Sequence, residues 1–174
     1  MSNQKITIGV IGGHETDEKN ATLAYQVGEQ IAKRGITLVC GGLGGIMEAA
    51  SKGAFLAGGI VVGVLPGHDK QESNQYVTIA LPTGMGLSRD ALVVRFSDAL
   101  IAFPGSYGTL AEIAFALTLG KTVVYMPGAW NLKKIGRIDA NLFKEAFDAN
   151  QAIGLALNSL IIGAPPTSSD TPTA

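Results

Sequence analysis

The chain has 174 residues, a length that suits one domain with a well-buried core. Hydrophobic residues make up 47% of it and charged residues 16%, yet no apolar run approaches the roughly 20 residues that a membrane span requires. The formal net charge is −1 and Lys and Arg do not cluster, which argues against a nucleic-acid partner. Residues 1–5 show no charged and apolar leader, so we expect a cytoplasmic protein.

Cysteine and histidine are too few for a metal site. Cys40 is the only cysteine, which excludes an internal disulfide and any multi-cysteine metal centre. His14 and His68 are isolated from each other, so we expect no metal. A small anionic ligand remains compatible with this composition, because backbone amides and one Arg can hold an anion without a basic surface.

Short apolar runs alternate with helical patterns along the chain. The predicted strands cover residues 5–11, 36–40, 60–65, 77–80, 99–103 and 122–126. Most of these runs are continuously apolar, which is typical of a parallel sheet covered on both faces. The predicted helices cover about 18–34, 45–57, 88–96, 107–119 and 140–157. The series predicts a single Rossmann-like α/β domain over residues 1–163, with a mainly parallel sheet and helices on both faces.

Two further segments carry expectations about surface and assembly. Residues 164–174 lack bulky apolar side chains and are predicted to form a disordered tail. Residues 128–137 are predicted to form a surface loop, with covering of the site or an interface as alternatives. The apolar content exceeds what one small core needs, which predicts a homo-oligomer, a dimer or a tetramer. The contacts would come from the helix at 88–96, through Leu92, Val93 and Phe96.

The segment at 104–112 is the most informative part of the chain. It follows the apolar run 99–103 and opens a helical pattern. A strand that passes through small residues into a helix N-terminus leaves backbone N–H groups free at the positive end of the helix dipole. The segment therefore predicts a phosphate-binding loop, and it reads Pro104, Gly105, Ser106, Tyr107, Gly108, Thr109, Leu110, Ala111 and Glu112.

A second loop of the same kind lies earlier in the chain. It follows the apolar run 36–40, opens the helix predicted at 45–57, and reads Gly41, Gly42, Leu43, Gly44 and Gly45. Two such loops on one chain suggest that both face one ligand. The turn after the first strand, which contains Gly12, Gly13 and His14, is expected to lie beside them, because the carboxyl ends of parallel strands meet at one edge.

Three side chains near these loops are candidates for direct ligand contact. Thr109 and Glu112 are three residues apart, so they share a helix face and point toward the N-terminus of that helix. Arg89 stands at another predicted helix start, where it can clamp a phosphate or a carboxylate. The alternatives are a solvated Glu112 and a surface Arg89 with no ligand role. His14 can donate to a phosphate, although a lone histidine near a loop is more often solvent-exposed or structurally bonded.

Two common nucleotide-binding motifs are not met. An NAD-binding fold needs Gly-x-Gly-x-x-Gly after the first strand, whereas this chain has Gly12-Gly13-His14-Glu15 there. Lys121 and Thr122 resemble the end of a P-loop, but Phe115 stands where that motif needs Gly. Their segment also leaves a helix and enters a strand, the reverse of a P-loop.

Together these motifs resemble one superfamily. It contains the Lonely-Guy cytokinin-activating phosphoribohydrolases, proteins once labelled lysine decarboxylases, and the molybdenum cofactor carrier proteins. Its Pro-Gly-Gly-x-Gly-Thr-x-x-Glu loop is met by Pro104, Gly105, Gly108, Thr109 and Glu112, with Ser106 in place of the second Gly. Its Gly-Gly-x-x-Gly-x-Met segment is met by Gly41, Gly42, Gly45 and Met47. The resemblance covers about residues 5–157.

Within that superfamily the chain looks most like the molybdenum cofactor carriers. The hydrolases carry an Arg-Lys pair ahead of the Gly loop, whereas this chain has Arg89-Asp90. The carrier resemblance implies a homo-oligomer that binds and protects the phosphate-bearing cofactor without catalysis and passes it to cofactor-receiving enzymes. The alternative is a nucleoside 5′-monophosphate phosphoribohydrolase, in which Arg89 holds the ribose phosphate and Glu112 assists N-glycosidic cleavage. A nucleotide-sensing module is a third possibility.

Overall fold

A computed structural model describes residues 5–128, 130, 132 and 138–162, which fold around one parallel sheet. The seven strands are ordered β4-β3-β2-β1-β5-β6-β7, and every neighbouring pair is parallel. Their bounds are β1 Thr7–Ile11, β2 Thr37–Cys40, β3 Val61–Leu65, β4 Ile79–Pro82, β5 Ala99–Ala102, β6 Val123–Tyr125 and β7 Phe143–Glu145. The predicted tail at 164–174 and most of the loop at 128–137 lie outside the described residues.

Five α-helices cover the two faces of the sheet, as predicted. They are α1 Glu18–Lys33, α2 Ile46–Leu56, α3 Asp90–Phe96, α4 Tyr107–Thr118 and α5 Ala149–Ile162. Helices α1, α2 and α5 share one buried apolar cluster with the sheet, and α3 and α4 share the other. Two 3₁₀ turns, Lys70–Glu72 and Gly86–Arg89, flank β4. The α/β Rossmann-like prediction is therefore confirmed.

The strand order reverses beside β1, and that reversal positions the site. β1 pairs with β2 on one side and with β5 on the other, so the chain builds outward in both directions from the centre. The connections that leave β1 and β5 pass to opposite faces of the sheet, which opens a crevice at their carboxyl ends. The loops that follow β1, β2 and β5 all end at this edge.

The structure corrects the predicted helix at 140–157. Phe143–Glu145 instead form the short edge strand β7, which pairs with β6 through Phe143 and Val123. The helix begins only after Asp148, whose carboxylate accepts a hydrogen bond from the Gln151 N–H at 2.8 Å. A three-residue strand is too short to show a period of two, and the apolar residues around it imitated a helical face.

Two smaller corrections concern the strand at 77–80 and the proposed oligomer contacts. The strand lies at Ile79–Pro82, because the Val77 N–H closes a turn onto the Asn74 carbonyl. Val93 is fully buried against the sheet, so it cannot contribute to an interface, whereas Phe96 is about half exposed. None of the helices in the described ranges is long and apolar enough to cross a membrane.

Candidate functional site

Backbone hydrogen bonds join the three loops at the carboxyl edge of the sheet. The Gly13 N–H donates to the Pro104 carbonyl at 3.0 Å, which ties the β1 loop to the β5 loop. The Gly13 carbonyl accepts from the Ile46 N–H at 3.0 Å, which ties the same turn to the start of α2. A Cβ on Gly13 would approach the Glu15 carbonyl oxygen to 2.6 Å, so this junction needs glycine. The three loops therefore form one rigid frame.

The N-terminus of α4 presents free amides to the crevice. Its N-cap residue is Ser106, and the Ser106 side chain makes no capping hydrogen bond. The first N–H groups of an α-helix have no partner within the helix and carry the positive end of its dipole. A Cβ on Gly108 would meet only Asp90 Oδ2, at 3.6 Å, so packing within the protein does not require this glycine. The geometry fits the approach of an anion.

The loop at 41–45 is built differently. The first N–H of its helix, that of Ile46, already donates to Gly13. A Cβ on Gly45, whose φ is +65°, would overlap the Gly13 and His14 carbonyl oxygens. A Cβ on Gly41 would overlap the Arg89 guanidinium. The glycines at 41 and 45 thus make room for neighbouring protein groups.

Asn74 secures this loop from the side. Its Nδ2 donates to the Leu43 carbonyl at 2.9 Å and to the Gly42 carbonyl at 3.2 Å. Its Oδ1 accepts from the Tyr76 N–H at 3.1 Å. The sequence analysis missed Asn74, because its partners lie more than 30 residues earlier in the chain.

A small cavity of about 220 Å³ lies where the loops meet. Nine predicted site residues line it, namely Gly12, His14, Gly41, Met47, Arg89, Ser106, Gly108, Thr109 and Glu112. The remaining lining residues are Val10, Ile11, Leu43, Leu87 and Asp90. The structure therefore brings together residues from four separate segments of the chain.

Two larger depressions adjoin the cavity. A polar cleft of about 460 Å³ shares His14 and Ser106 with it and includes three further predicted residues, Gly13, Pro104 and Gly105. An apolar groove of about 600 Å³ lies between α4 and the 3₁₀ turn Gly86–Arg89, and includes Tyr107. The predicted residues Gly42, Gly44 and Gly45 line none of the three. Sequence analysis also did not single out Leu87, or Thr16 and Asn20 of the polar cleft.

Arg89 is the central cation of the cavity. The residue is 8% exposed, and its Nη1 donates to the Val64 carbonyl in β3, at 2.9 Å. Its Nε lies 2.9 Å from Asp90 Oδ1, a charge contact whose angle does not satisfy hydrogen-bond geometry. Within the described residues Nη2 makes no hydrogen bond, so part of the fork can still serve a ligand.

Glu112 is a buried acid with a strongly perturbed pKa. Its side chain lines the cavity and makes no hydrogen bond to any other described residue. Burial, together with the neighbouring Asp90 charge and against the opposing effect of Arg89, raises its pKa from the ordinary 4.5 to about 8. Burial also raises the pKa of Asp90, against the attraction of Arg89. At neutral pH Glu112 is therefore mainly protonated and can donate a hydrogen bond.

Metal ligands do not cluster in the part of the chain that the structure describes. No group of three or more His, Cys, Asp or Glu side chains there is placed to hold a metal ion. The polar side chains that line the cavity are those of Arg89, Asp90, Glu112, His14, Ser106 and Thr109.

Comparison with known families identifies the chain. The model of the SLOG cluster 4 family matches residues 5–159. The chain belongs to this family. It is also 51% identical over 116 residues to an uncharacterized protein of Archaeoglobus fulgidus, a match that spans 67% of this chain and 76% of the relative. This SLOG protein is a member of the Lonely-Guy superfamily, as the motifs predicted.

Two solved structures resemble the SLOG protein over nearly their full length. The molybdenum cofactor binding protein of Rippkaea orientalis is 34% identical with a TM-score of 0.84, and the match covers 92% of this chain and 99% of that one. The molybdenum cofactor carrier protein of Chlamydomonas reinhardtii is 36% identical with a TM-score of 0.81, covering 91% and 99%.

The hydrolases are similar over a shorter stretch. A probable cytokinin riboside 5′-monophosphate phosphoribohydrolase of Oryza sativa subsp. japonica is 39% identical over 98 residues. That match spans 55% of this chain and only 40% of the hydrolase. The chain is thus similar both to molybdenum cofactor proteins of known structure and, in sequence, to phosphoribohydrolases.

Proposed function

We propose that this protein binds a phosphorylated heterocyclic small molecule, and that the ligand is molybdenum cofactor, which the protein carries and shields. One observation carries the proposal: buried Arg89 and the free N-terminus of α4 line the same small cavity at the point where the strand order reverses. A guanidinium and helix N-terminal amides are the groups that hold a phosphate.

The cavity and its neighbours are large enough for more than a phosphate. The cavity alone measures about 220 Å³, and the two depressions that open from it measure about 460 and 600 Å³. Small-molecule sites in proteins commonly occupy 300–1,000 Å³. The site can thus bind the phosphate of the ligand in the cavity and its ring system in an adjoining depression.

Asp90 supports the carrier over the hydrolase. Its carboxylate lies 2.9 Å from Arg89 Nε, so position 90 contributes a negative charge beside the cation. The superfamily resemblance gives the hydrolases a Lys at this position, which would add a second positive charge. The near-complete coverage of the two cofactor-binding neighbours supports the same assignment.

A specific observation favours the second candidate, the phosphoribohydrolase. Glu112 has a pKa of about 8, so it can protonate a leaving base at neutral pH. The reaction would convert a nucleoside 5′-monophosphate and water into the free base and ribose 5-phosphate. Arg89 would hold the phosphate, and Glu112 would supply the proton to the departing base nitrogen.

The first experiment identifies the ligand directly. The protein is purified anaerobically, and the small molecules it retains are released by denaturation and analysed by mass spectrometry. We expect a pterin that carries phosphate, together with molybdenum. Recovery of a nucleotide in its place would contradict the cofactor assignment, but it would still support a phosphate-binding site.

Glu112→Gln separates a carrier from an enzyme. The amide keeps the shape of the protonated carboxyl and its ability to donate a hydrogen bond, so cofactor affinity should stay within a few fold. In a hydrolase the same change removes the acid and should lower turnover of adenosine 5′-monophosphate by roughly 10²–10⁴-fold. Base release by the wild-type protein that collapses in the variant would overturn the carrier assignment.

A further inference from the structure

The apolar groove has two walls from different parts of the chain. Tyr107, Ala111 and Phe115 line it from α4, and because they recur at every fourth residue they form one stripe along that helix. The second wall comes from Leu87, Ser88 and Ala91, in the 3₁₀ turn and the start of α3. The Arg95 guanidinium lies 5.6 Å from the centre of the Phe115 ring. The groove therefore has an apolar lining between two helical segments.

Two large side chains at this groove are almost fully exposed. Leu87 is 85% exposed and Tyr107 is 89% exposed, although both lie beside a cavity with buried polar groups. Exposed apolar side chains scattered singly are ordinary, but a pair on the rim of one groove next to a binding cavity indicates a contact surface.

The groove is continuous with the anion-binding cavity. The groove and the cavity share five of their lining residues, namely Leu87, Asp90, Ser106, Gly108 and Glu112. At the junction the Asp90 carboxylate is an acceptor and the carboxyl of Glu112 is a donor when protonated. A molecule with its phosphate at the start of α4 can extend directly into the groove and present its polar ring edge to these two groups.

The polar cleft on the other side of the cavity fits a ring less well. Its lining includes Glu15, Thr16, Asp17 and Asn20, and the side chains of Asp17 and Asn20 already form hydrogen bonds at the start of α1. Asp17 Oδ1 accepts from the Asn20 N–H at 2.7 Å, and Asn20 Nδ2 donates to Asp17 Oδ2 at 3.0 Å. These bonds cap the helix and leave fewer free groups for ligand recognition.

We propose that the groove between α4 and the Gly86–Arg89 turn is the ring subsite, in which a flat heterocycle lies between Leu87 and the α4 stripe. The assignment rests on the proposed function, because it requires the phosphate of the same ligand to lie at the start of α4. Its substrate class is a planar, phosphorylated bicyclic or tricyclic heterocycle, such as a pterin or a purine nucleotide. Aromatic and apolar walls bind either ring by its faces.

The test compares whole ligands with bare phosphate. Binding of molybdenum cofactor, adenosine 5′-monophosphate and inorganic phosphate is measured by anaerobic titration for the wild-type protein and for Leu87→Ser and Tyr107→Ala. In each variant, affinity for the ring-bearing ligand that the wild type binds should fall roughly tenfold, because each substitution removes one large apolar contact. Affinity for inorganic phosphate should stay within about twofold.

Two control variants match these changes. Leu56→Ser removes another exposed leucine, 60% accessible and near the end of α2, and should bind like the wild type. Thr16→Ala alters the polar cleft and should also bind like the wild type. Because Leu87 and Tyr107 are so exposed, their variants are expected to fold, and thermal unfolding curves verify this.

Three results would overturn the ring subsite. The first is that Leu87→Ser and Tyr107→Ala bind the cofactor and the nucleotide as tightly as the wild type does, or that only Thr16→Ala loses affinity. The second is an equal loss of affinity for inorganic phosphate, which would show that the substitutions disturb the cavity itself. The third is a change of solution mass by light scattering in Leu87→Ser, which would show that a second copy of the chain covers the groove. If the wild type binds neither ring-bearing ligand, the proposed function fails and the subsite with it.

Discussion

The loops at 41–45 and 104–109 look alike in sequence and differ in what their glycines do. Both leave a buried strand and enter a helix through small residues. At 41–45 the missing side chains make room for protein, since Gly41 lies against Arg89 and Gly45 against two carbonyl oxygens. In the second loop Gly105 also lies against protein, beside Thr109 and the Gly13 N–H, but at Gly108 the nearest atom to an added Cβ is 3.6 Å away. The 41–45 loop therefore builds the frame of the site, whereas the start of α4 leaves open space at Gly108.

Gly45→Ala should show the largest effect on the frame. The substitution adds a left-handed backbone penalty and an overlap with the Gly13 and His14 carbonyls, so we expect a loss of at least about 3 kcal/mol in the free energy of unfolding. Gly58→Ala is the control for a positive φ without crowding, because Gly58 has a φ of +77° and open space around it. That control should lose only about 1–2 kcal/mol. Equal losses in urea titrations would contradict a packing role for Gly45.

Glu112, the buried acid of α4, should make stability depend on pH. The pKa of Glu112 is raised in the folded protein from 4.5 to about 8, so its folded state binds a proton more tightly than its unfolded state. Its stabilising contribution is complete below about pH 4.5 and is lost as the pH rises to about 8, by an amount on the order of a few kcal/mol.

Glu112→Gln isolates this effect, because the amide does not titrate. The melting temperature of the variant should fall less between pH 5 and pH 8 than that of the wild type. Asp90, whose pKa is also raised, contributes with the same sign in both proteins and so cancels in the comparison. Parallel pH profiles for the two proteins would contradict a buried neutral Glu112.

Asn74→Ala tests whether the 41–45 loop is held from outside. The variant loses the hydrogen bonds to the Gly42 and Leu43 carbonyls and the one from the Tyr76 N–H, and should cost about 1–2 kcal/mol of unfolding free energy. Asn74→Asp keeps the acceptor for Tyr76 and removes both donors. If the donors matter, Asn74→Asp should be about as unstable as Asn74→Ala, and full stability of the Asp variant would argue otherwise.

Gly108→Ala should have the smallest effect on folding and a clear effect on binding. Gly108 lies in the first turn of α4 with space beside it, so alanine should change the unfolding free energy by no more than about 1 kcal/mol, toward greater stability. Affinity for inorganic phosphate should fall severalfold, because the new methyl group shields the amides. Unchanged phosphate affinity would show that the anion does not approach this turn.

The central strands could be predicted from the sequence, and so could the proximity of the loops that follow them, because both depend on local signals. Continuous apolar runs marked β1 and β5, and strand direction alone brings their ends to one edge. The burial of Arg89 was not predictable, since its partner is the Val64 carbonyl 25 residues earlier. The pKa of Glu112 likewise depends on its burial and then on Asp90, which lies on another helix. Such properties arise from contacts between distant segments.

The same limit explains the error about β7, and it also kept the packing role of the glycines at 41–45 out of reach of the sequence. Phe143–Glu145 is a strand only because β6 lies beside it, and three residues carry no periodic signal of their own. A glycine in a loop looks the same in sequence whether a ligand or an arginine occupies the space beside it. At Gly41 the position of the Arg89 guanidinium in the fold shows that protein occupies this space.

The bonds that join the three loops through Gly13 have an evolutionary consequence. Both run from backbone to backbone, from the Gly13 N–H to Pro104 and from the Ile46 N–H to Gly13. Substitutions elsewhere around the cavity leave these donors and acceptors in place, because every residue except proline carries both groups. Descendants of one ancestor can therefore exchange side chains at positions such as 90 and acquire new ligands or new chemistry while the architecture beneath is inherited intact.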